Sequence, residues 1–197
     1  MGRLRLLKIM FACLLAFIAL QVRASAPATQ PASIEVKDVE GHAFKPLELG
    51  DHSAAVIVFI ATECPVSNSY APQINRLCEE YKPKHVAFYI VYSDPDLTDQ
   101  AAQEHAKAYG YTCPALMDRK HALVHQLGPK VTPEVAVIGK DGALVYRGRI
   151  DNLYYAIGKR RPQATTHDLL DAIEATLAGH EASPARTRAV GCSISDD

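Results

Sequence analysis

Residues 54–60 read AAVIVFI, and this run constrains the chain more than any other segment. Seven consecutive apolar residues leave no polar side, so a strand built from them must be covered on both faces, as in a central parallel sheet. The residues that follow change period. Apolar or aromatic side chains fall at 70, 71, 74, 77, 78 and 81, which predicts an amphipathic helix over Ser67–Tyr81. A second buried-strand run, VAFYIVY, occupies 86–92.

The remaining punctuation extends this alternation. Ile34–Lys37 alternates as a short strand ahead of a turn at Gly41. Thr98 or Asp99 caps a helix that runs to about Tyr109 and stops at Gly110. Ala115–Met117 is a short strand before a helical turn at 119–127. Glu134–Ile138 and Leu144–Arg147 flank Gly139-Lys140-Asp141-Gly142, a hairpin signal. Thr165 or Thr166 opens a last helix that ends at Gly179. The expected fold over 34–179 is an α/β three-layer sandwich, a mixed central sheet with helices on both faces.

Residues 1–24 read as a secretory signal peptide, with Arg3, Arg5 and Lys8 ahead of a twelve-residue apolar run, Ile9–Leu20. Cleavage is expected after Ala24; the alternative is an uncleaved anchor. Residues 25–33 are a linker, and 180–197 a flexible polar tail without periodicity. Cleavage would remove four basic residues and no acid, leaving 17 basic against 22 acidic. That balance offers no footprint for nucleic acid or for an anionic membrane surface. No apolar run of bilayer length occurs outside the first 25 residues, so no membrane span is expected after cleavage. In an exported chain, disulfides among Cys64, Cys78, Cys113 and Cys192 are permitted.

Cys64 stands between the end of a buried strand and the start of a helix. Unpaired N–H groups and the helix dipole stabilise a thiolate there, and thiolate is the attacking species in disulfide exchange and peroxide reduction. Pro65 suits a first helical turn, where no N–H is needed. Glu63 opposes a second anion beside it. The alternative is a structural cysteine at a strand end.

The segments VFIATECPVS (58–67), PALMD (114–118) and VTP (131–133), with Asp141-Gly142 and Tyr146-Arg147-Gly148-Arg149, resemble the thioredoxin-like superfamily, and within it exported redoxin and AhpC/TSA-type proteins. The resemblance covers about 34–178. It implies that Cys64 is the nucleophile and that Thr132-Pro133 is a cis-proline element beside it that pairs with the substrate backbone. The chain also departs from the superfamily. Ser67 stands where thioredoxins have their second cysteine, Val58 at their acidic position and Glu63 at their tryptophan; Ala61 and Ile57 replace the Thr or Ser and the Pro of peroxiredoxins. Ser67 can hydrogen-bond a Cys64 thiolate but cannot close a disulfide.

A partner for Cys64 must therefore come from elsewhere. Cys78 lies on the same predicted helix about 21 Å away, against the roughly 7 Å a disulfide tolerates, and is expected to be buried and inert. Cys192, then Cys113, are the candidates for resolving Cys64. His121 and His125, at i and i+4, would share a helix face as metal ligands can; no metal is assigned. The basic loop Gly158–Pro162 reads as solvated, with anion contact as the alternative, and Tyr154-Tyr155 as covering the final helix or a partner surface.

Together these point to an exported thiol-disulfide oxidoreductase of redoxin type. Its substrate would be a protein disulfide or a peroxide. Resolution falls to Cys192, Cys113 or an external thiol of thioredoxin type, with no bound cofactor. The competing class is a non-catalytic binding module or copper chaperone acting through Cys64 and the cis-proline face. Against the copper reading, Asn68 stands where thioredoxin-like copper chaperones have their second cysteine.

Overall fold

The run 54–60 lies in the interior of the sheet, as its composition requires. In the computed structural model, which describes residues 33–195, strand β3 (Ala54–Ile60) has every residue at 1% exposure or less. It pairs in parallel with β4 (Val86–Tyr92) and antiparallel with β7 (Glu134–Gly139). β5 (Ala115–Met117) adds in parallel to β4, and β8 (Leu144–Gly148) antiparallel to β7. The short β1 (Val36–Asp38) and β2 (Ala43–Phe44) close the other edge, giving the order β2-β1-β5-β4-β3-β7-β8.

Alternation along β3 divides the core. Ala54, Val56, Val58 and Ile60 face helix α1 (Pro65–Tyr81) and the last helix, α4 (Asp168–Leu177), through Tyr70, Ile74, Leu77, Leu169 and Ile173. Ala55, Ile57 and Phe59 face α3 (Ala122–Leu127) through Leu123, Val124 and Leu127. Helix α2 (Asp99–Ala108) adds Ala102 to the first side and is capped by Thr98, whose hydroxyl accepts from the Ala101 N–H at 3.2 Å. The result is the thioredoxin-like α/β sandwich.

Some boundaries differ from the sequence expectation, each for a specific reason. α3 begins at Ala122 because His121 is left-handed (φ 54°) and the buried Asp118 carboxylate accepts from the N–H groups of Leu123 and Val124 at 2.9 and 3.0 Å. α4 begins at Asp168 rather than Thr165 or Thr166. The Asn152 amide oxygen takes the N–H groups of both threonines at 2.8 and 3.2 Å and holds them in a loop. The basic loop forms a small hairpin, β9 (Tyr154–Ala156) with β10 (Lys159–Arg160).

Two larger corrections concern the tail and the cysteines. The tail expected to be flexible is bound to the sheet edge. Arg147 N–H donates to the Ala185 carbonyl at 3.0 Å, Thr187 N–H to the Arg147 carbonyl at 3.1 Å, and Ala182 is buried. It then forms β11 (Cys192–Ser193), antiparallel to β6 (Val131–Thr132). Cys113 is not a free thiol: it forms a disulfide with Cys78, Cα–Cα 6.5 Å, tying the last turn of α1 to the approach to β5. Cys78, expected to be inert, is therefore a structural partner, and Cys113 is removed from the candidates for resolving Cys64. The signal-peptide segment lies outside the described residues, as does nearly all of the linker. Among the described residues no helix is long and apolar enough to cross a membrane.

The disulfide closes a loop with a sequence separation of 35. Loop-closure entropy for that length gives a stabilisation of about 3–4 kcal/mol. Replacing Cys78 and Cys113 together by alanine should lower unfolding free energy by about that amount, read as an earlier midpoint in guanidinium denaturation; an unchanged midpoint would show the bond to be thermodynamically idle.

Candidate functional site

Cys64 is the N-cap residue of α1, in extended conformation (φ −85°, ψ 109°), with Pro65 opening the first turn and no acidic residue in that turn. Its carbonyl accepts from Asn68 N–H at 3.0 Å. Its sulfur thus sits at the positive end of a 17-residue helix. The residue is 1% exposed.

Two further segments converge on this sulfur. The Thr132–Pro133 peptide is cis, and the Thr132 carbonyl accepts from the Cys64 Sγ–H at 3.0 Å. Cys192 pairs directly with Thr132 across β6 and β11, and the Thr132 hydroxyl donates to the Cys192 carbonyl at 3.4 Å. Ile194 N–H continues the pairing onto the Lys130 carbonyl at 3.0 Å. Gly191 lets the two backbones meet, since a Cβ there would collide with the Thr132 carbonyl. Cys64 and Cys192 both remain as free thiols.

The electrostatics follow from these contacts. Burial pushes the Cys64 thiol up. Hydrogen bonds from the Cys192 thiol, the Ser67 N–H, the Ser67 hydroxyl and the Cys192 N–H outweigh burial and bring its pKa from 9.0 to about 7. Cys192 moves the other way, to about 11, through burial, the bond it donates to Cys64 and the proximity of that negative charge. Ser67 is fully buried, and its hydroxyl has no well-formed partner while Cys64 is a neutral thiol. A hydroxyl rotor in that place can donate to a charged sulfur, in keeping with the lowering of the Cys64 pKa by Ser67. Glu63, expected to oppose the thiolate, is exposed and is not among the leading influences on Cys64.

A supporting chain was not legible in the sequence. Tyr92 hydroxyl donates to His105 Nδ1 at 2.8 Å, His105 Nε2–H to Asn68 Oδ1 at 2.9 Å, and Asn68 Nδ2 to the Thr62 carbonyl at 2.8 Å. A neutral His105 satisfies both contacts, and burial holds its pKa below the usual range. The chain braces the loop that carries Cys64 against α2. No sequence spacing announces it, because its members come from three separate elements and the loop before α1. His121 and His125 do not share a helix, since α3 starts between them, and the His121 ring bonds the Ser93 carbonyl at 2.5 Å. Among the described residues, three closely placed metal-ligating side chains occur at Asp38, Glu40 and His42, a set that does not include Cys64.

The reactivity of Cys64 should therefore rise with pH through about 7 and level off by about pH 8, because only the thiolate attacks. Alkylation rates against pH read this directly. Ser67→Ala should move the midpoint up by about one unit, the equivalent of about 1.4 kcal/mol of thiolate stabilisation. A midpoint near 9 in the unaltered protein would contradict the assignment.

Comparison with known proteins places this geometry. The family model described as Redoxin matches residues 21–153, a span that holds Cys64 and the cis-proline but ends before Cys192. No curated protein matches the sequence. A hypothetical protein of known structure from Sinorhizobium meliloti 1021 is 26% identical, with a TM-score of 0.73, covering 84% of this chain and 92% of its own. An uncharacterized conserved protein from Geobacillus kaustophilus is 24% identical, with a TM-score of 0.71, covering 84% and 90%. A secreted Mycobacterium tuberculosis disulfide oxidoreductase, described as homologous to E. coli DsbE, shares the fold at 16% identity and a TM-score of 0.51, covering 75% and 96%. The family match, over two-thirds of the chain and including Cys64, supports a redox role: the chain belongs to the redoxin family.

Proposed function

We propose that the chain is an exported thiol-disulfide oxidoreductase in which Cys64 is the nucleophile and Cys192 the resolving thiol. One observation carries this reading: strand pairing sets Cys192 opposite Thr132, whose carbonyl holds the Cys64 sulfur, so the two free thiols influence one another, which lowers the proton affinity of Cys64 and raises that of Cys192. The Cys64 thiolate attacks a disulfide sulfur and forms a mixed disulfide, releasing one substrate thiolate. Cys192, deprotonated as the leaving thiolate takes up its proton, attacks the Cys64 sulfur. The second substrate thiol departs, and a Cys64–Cys192 disulfide remains. A thioredoxin-type dithiol then restores both thiols. No bound cofactor is required.

Cys64 at 1% exposure is reached by a protein substrate only when the two-residue β11 parts from β6. A peroxide is small enough to need less movement; the Cys64 thiolate would attack its oxygen and break the O–O bond, leaving a sulfenic acid on Cys64 and releasing water or an alcohol, and the same Cys192 would resolve it with loss of water. Thr132 and Pro133 present the backbone against which substrate packs, and Ser67 stabilises the thiolate. The Cys78–Cys113 disulfide suits an oxidising compartment and supports export.

The test is a thiol inventory by mass spectrometry after exposure to oxidised glutathione or to hydrogen peroxide, with alkylation before and after reduction. The expected product is a Cys64–Cys192 bond beside the existing Cys78–Cys113 bond. Cys192→Ala should leave Cys64 carrying glutathione or one oxygen, and Cys64→Ala should abolish turnover. A Cys64 that remains an unmodified thiol throughout would overturn the reading in favour of a binding module.

A further inference from the structure

A groove of about 680 Å³ opens beside the resolving cysteine. One wall is the β9–β10 hairpin, another the tail approaching β11, and it reaches Gly191, the residue before Cys192. Its charge is one-sided. Arg147 and Arg149 are paired, with Glu134 at 3.2 Å and Asp168 at 2.9 Å. Arg161 stacks over the Tyr155 ring at 5.4 Å and donates to the Asn152 carbonyl at 2.5 Å. Among the described residues, Arg161 and Arg188 in the wall, and Lys159 and Arg160 on the adjoining strand, have no carboxylate within ion-pair distance. The acid in the wall, Glu134, is already engaged by Arg147. This cationic face is set in a chain that carries 22 acidic against 21 basic residues, and 17 basic without residues 1–24.

Apolar surface lies in the same place. Tyr155 and Ile157, at the hairpin tip, are 56% and 65% exposed, among the largest exposed hydrophobic side chains of the described residues. The Tyr154 hydroxyl donates to Ser69 Oγ at 3.0 Å, which anchors the hairpin against the first turns of α1. Free cations beside exposed apolar side chains suit an extended segment that is acidic with apolar residues interspersed.

Resting on the reading of Cys64 and Cys192 as a redox pair, we propose that this groove docks an acidic segment of the thiol-bearing protein that reduces the oxidised chain, and that the incoming thiolate attacks at Cys192. Access favours that sulfur, because Cys192 is half-buried beside the groove while Cys64 is 1% exposed. The donor thiolate forms a bond to Cys192 Sγ as the Cys64–Cys192 bond breaks, and Cys64 leaves as thiolate. The donor's second thiol, losing its proton, then attacks its own sulfur in the mixed disulfide. Cys192 departs and takes up a proton from the donor. Two electrons pass to the chain, and the donor dithiol becomes a disulfide. The lower proton affinity of Cys64 also makes it the better leaving group.

The test uses the oxidised full domain and two synthetic dithiol peptides with the same Cys-Gly-Pro-Cys core, one flanked by Asp and Glu, the other by Lys. At low ionic strength the acidic peptide should reduce the Cys64–Cys192 bond about tenfold faster. The advantage should fade in ~0.5 M salt. In a Lys159→Glu, Arg160→Glu, Arg188→Glu variant the ratio of the two rates should invert, a comparison made within one preparation. A single-cysteine acidic peptide, quenched with an alkylating agent, should be captured on Cys192 with Cys64 alkylated. Equal rates, or capture on Cys64, would overturn the proposal and leave the redox pair standing. Failure of the Cys64–Cys192 disulfide to form at all would overturn both.

Discussion

The backbone pairing of Cys192–Ser193 with Val131–Thr132 is the contact on which the site depends. Thr132 serves three partners at once. Its carbonyl receives the Cys64 Sγ–H, its strand holds Cys192 opposite, and its peptide to Pro133 is cis. A tail of little hydrophobicity is thereby fixed where one thiol can act on another. Gly191 is a condition of that approach, because any side chain at 191 would strike the Thr132 carbonyl. Two thiols distant in the chain become neighbours through a strand of only two residues, and a strand that short is also easily parted.

The division of labour between the thiols follows from where their donors lie. Cys64 has a helix N-terminus behind it and Ser67 beside it, so its charged form finds donors. Cys192 has a single function in that network, to donate, and keeps its proton while Cys64 gives one up. Ser67 occupies the place at which thioredoxins carry a second cysteine. In this chain that position stabilises an anion, and the second sulfur arrives from the C-terminal strand. The His105–Asn68–Thr62 chain adds rigidity to the loop, so the geometry of Cys64 does not depend on the tail alone.

Much of the fold was readable in the sequence where one local rule sufficed. Strands 54–60, 86–92 and 115–117 match their apolar runs residue for residue, because burial on both faces dictates composition directly. The placement of Cys64 at a helix N-terminus was legible because strand end, proline and helix period coincide in one short stretch. Most of the failures share a cause: partners remote in sequence. Cys113 gave no sign that the last turn of α1 would bring Cys78 within bonding distance. The segment Gly191–Ile194 has neither length nor alternation, and becomes a strand only because β6 offers unpaired backbone beside it. The start of α4 moved because Asn152, outside the helix, captured the N–H groups of Thr165 and Thr166.

The most direct measurement is a redox titration of the protein against defined ratios of reduced to oxidised dithiothreitol, with acid quenching, alkylation and peptide mapping at each point. The expected result is that Cys64 and Cys192 change state together, along one two-electron curve, while Cys78–Cys113 stays oxidised over the same range. Independent curves for Cys64 and Cys192, or a titration in which Cys78 and Cys113 respond and Cys64 does not, would contradict it.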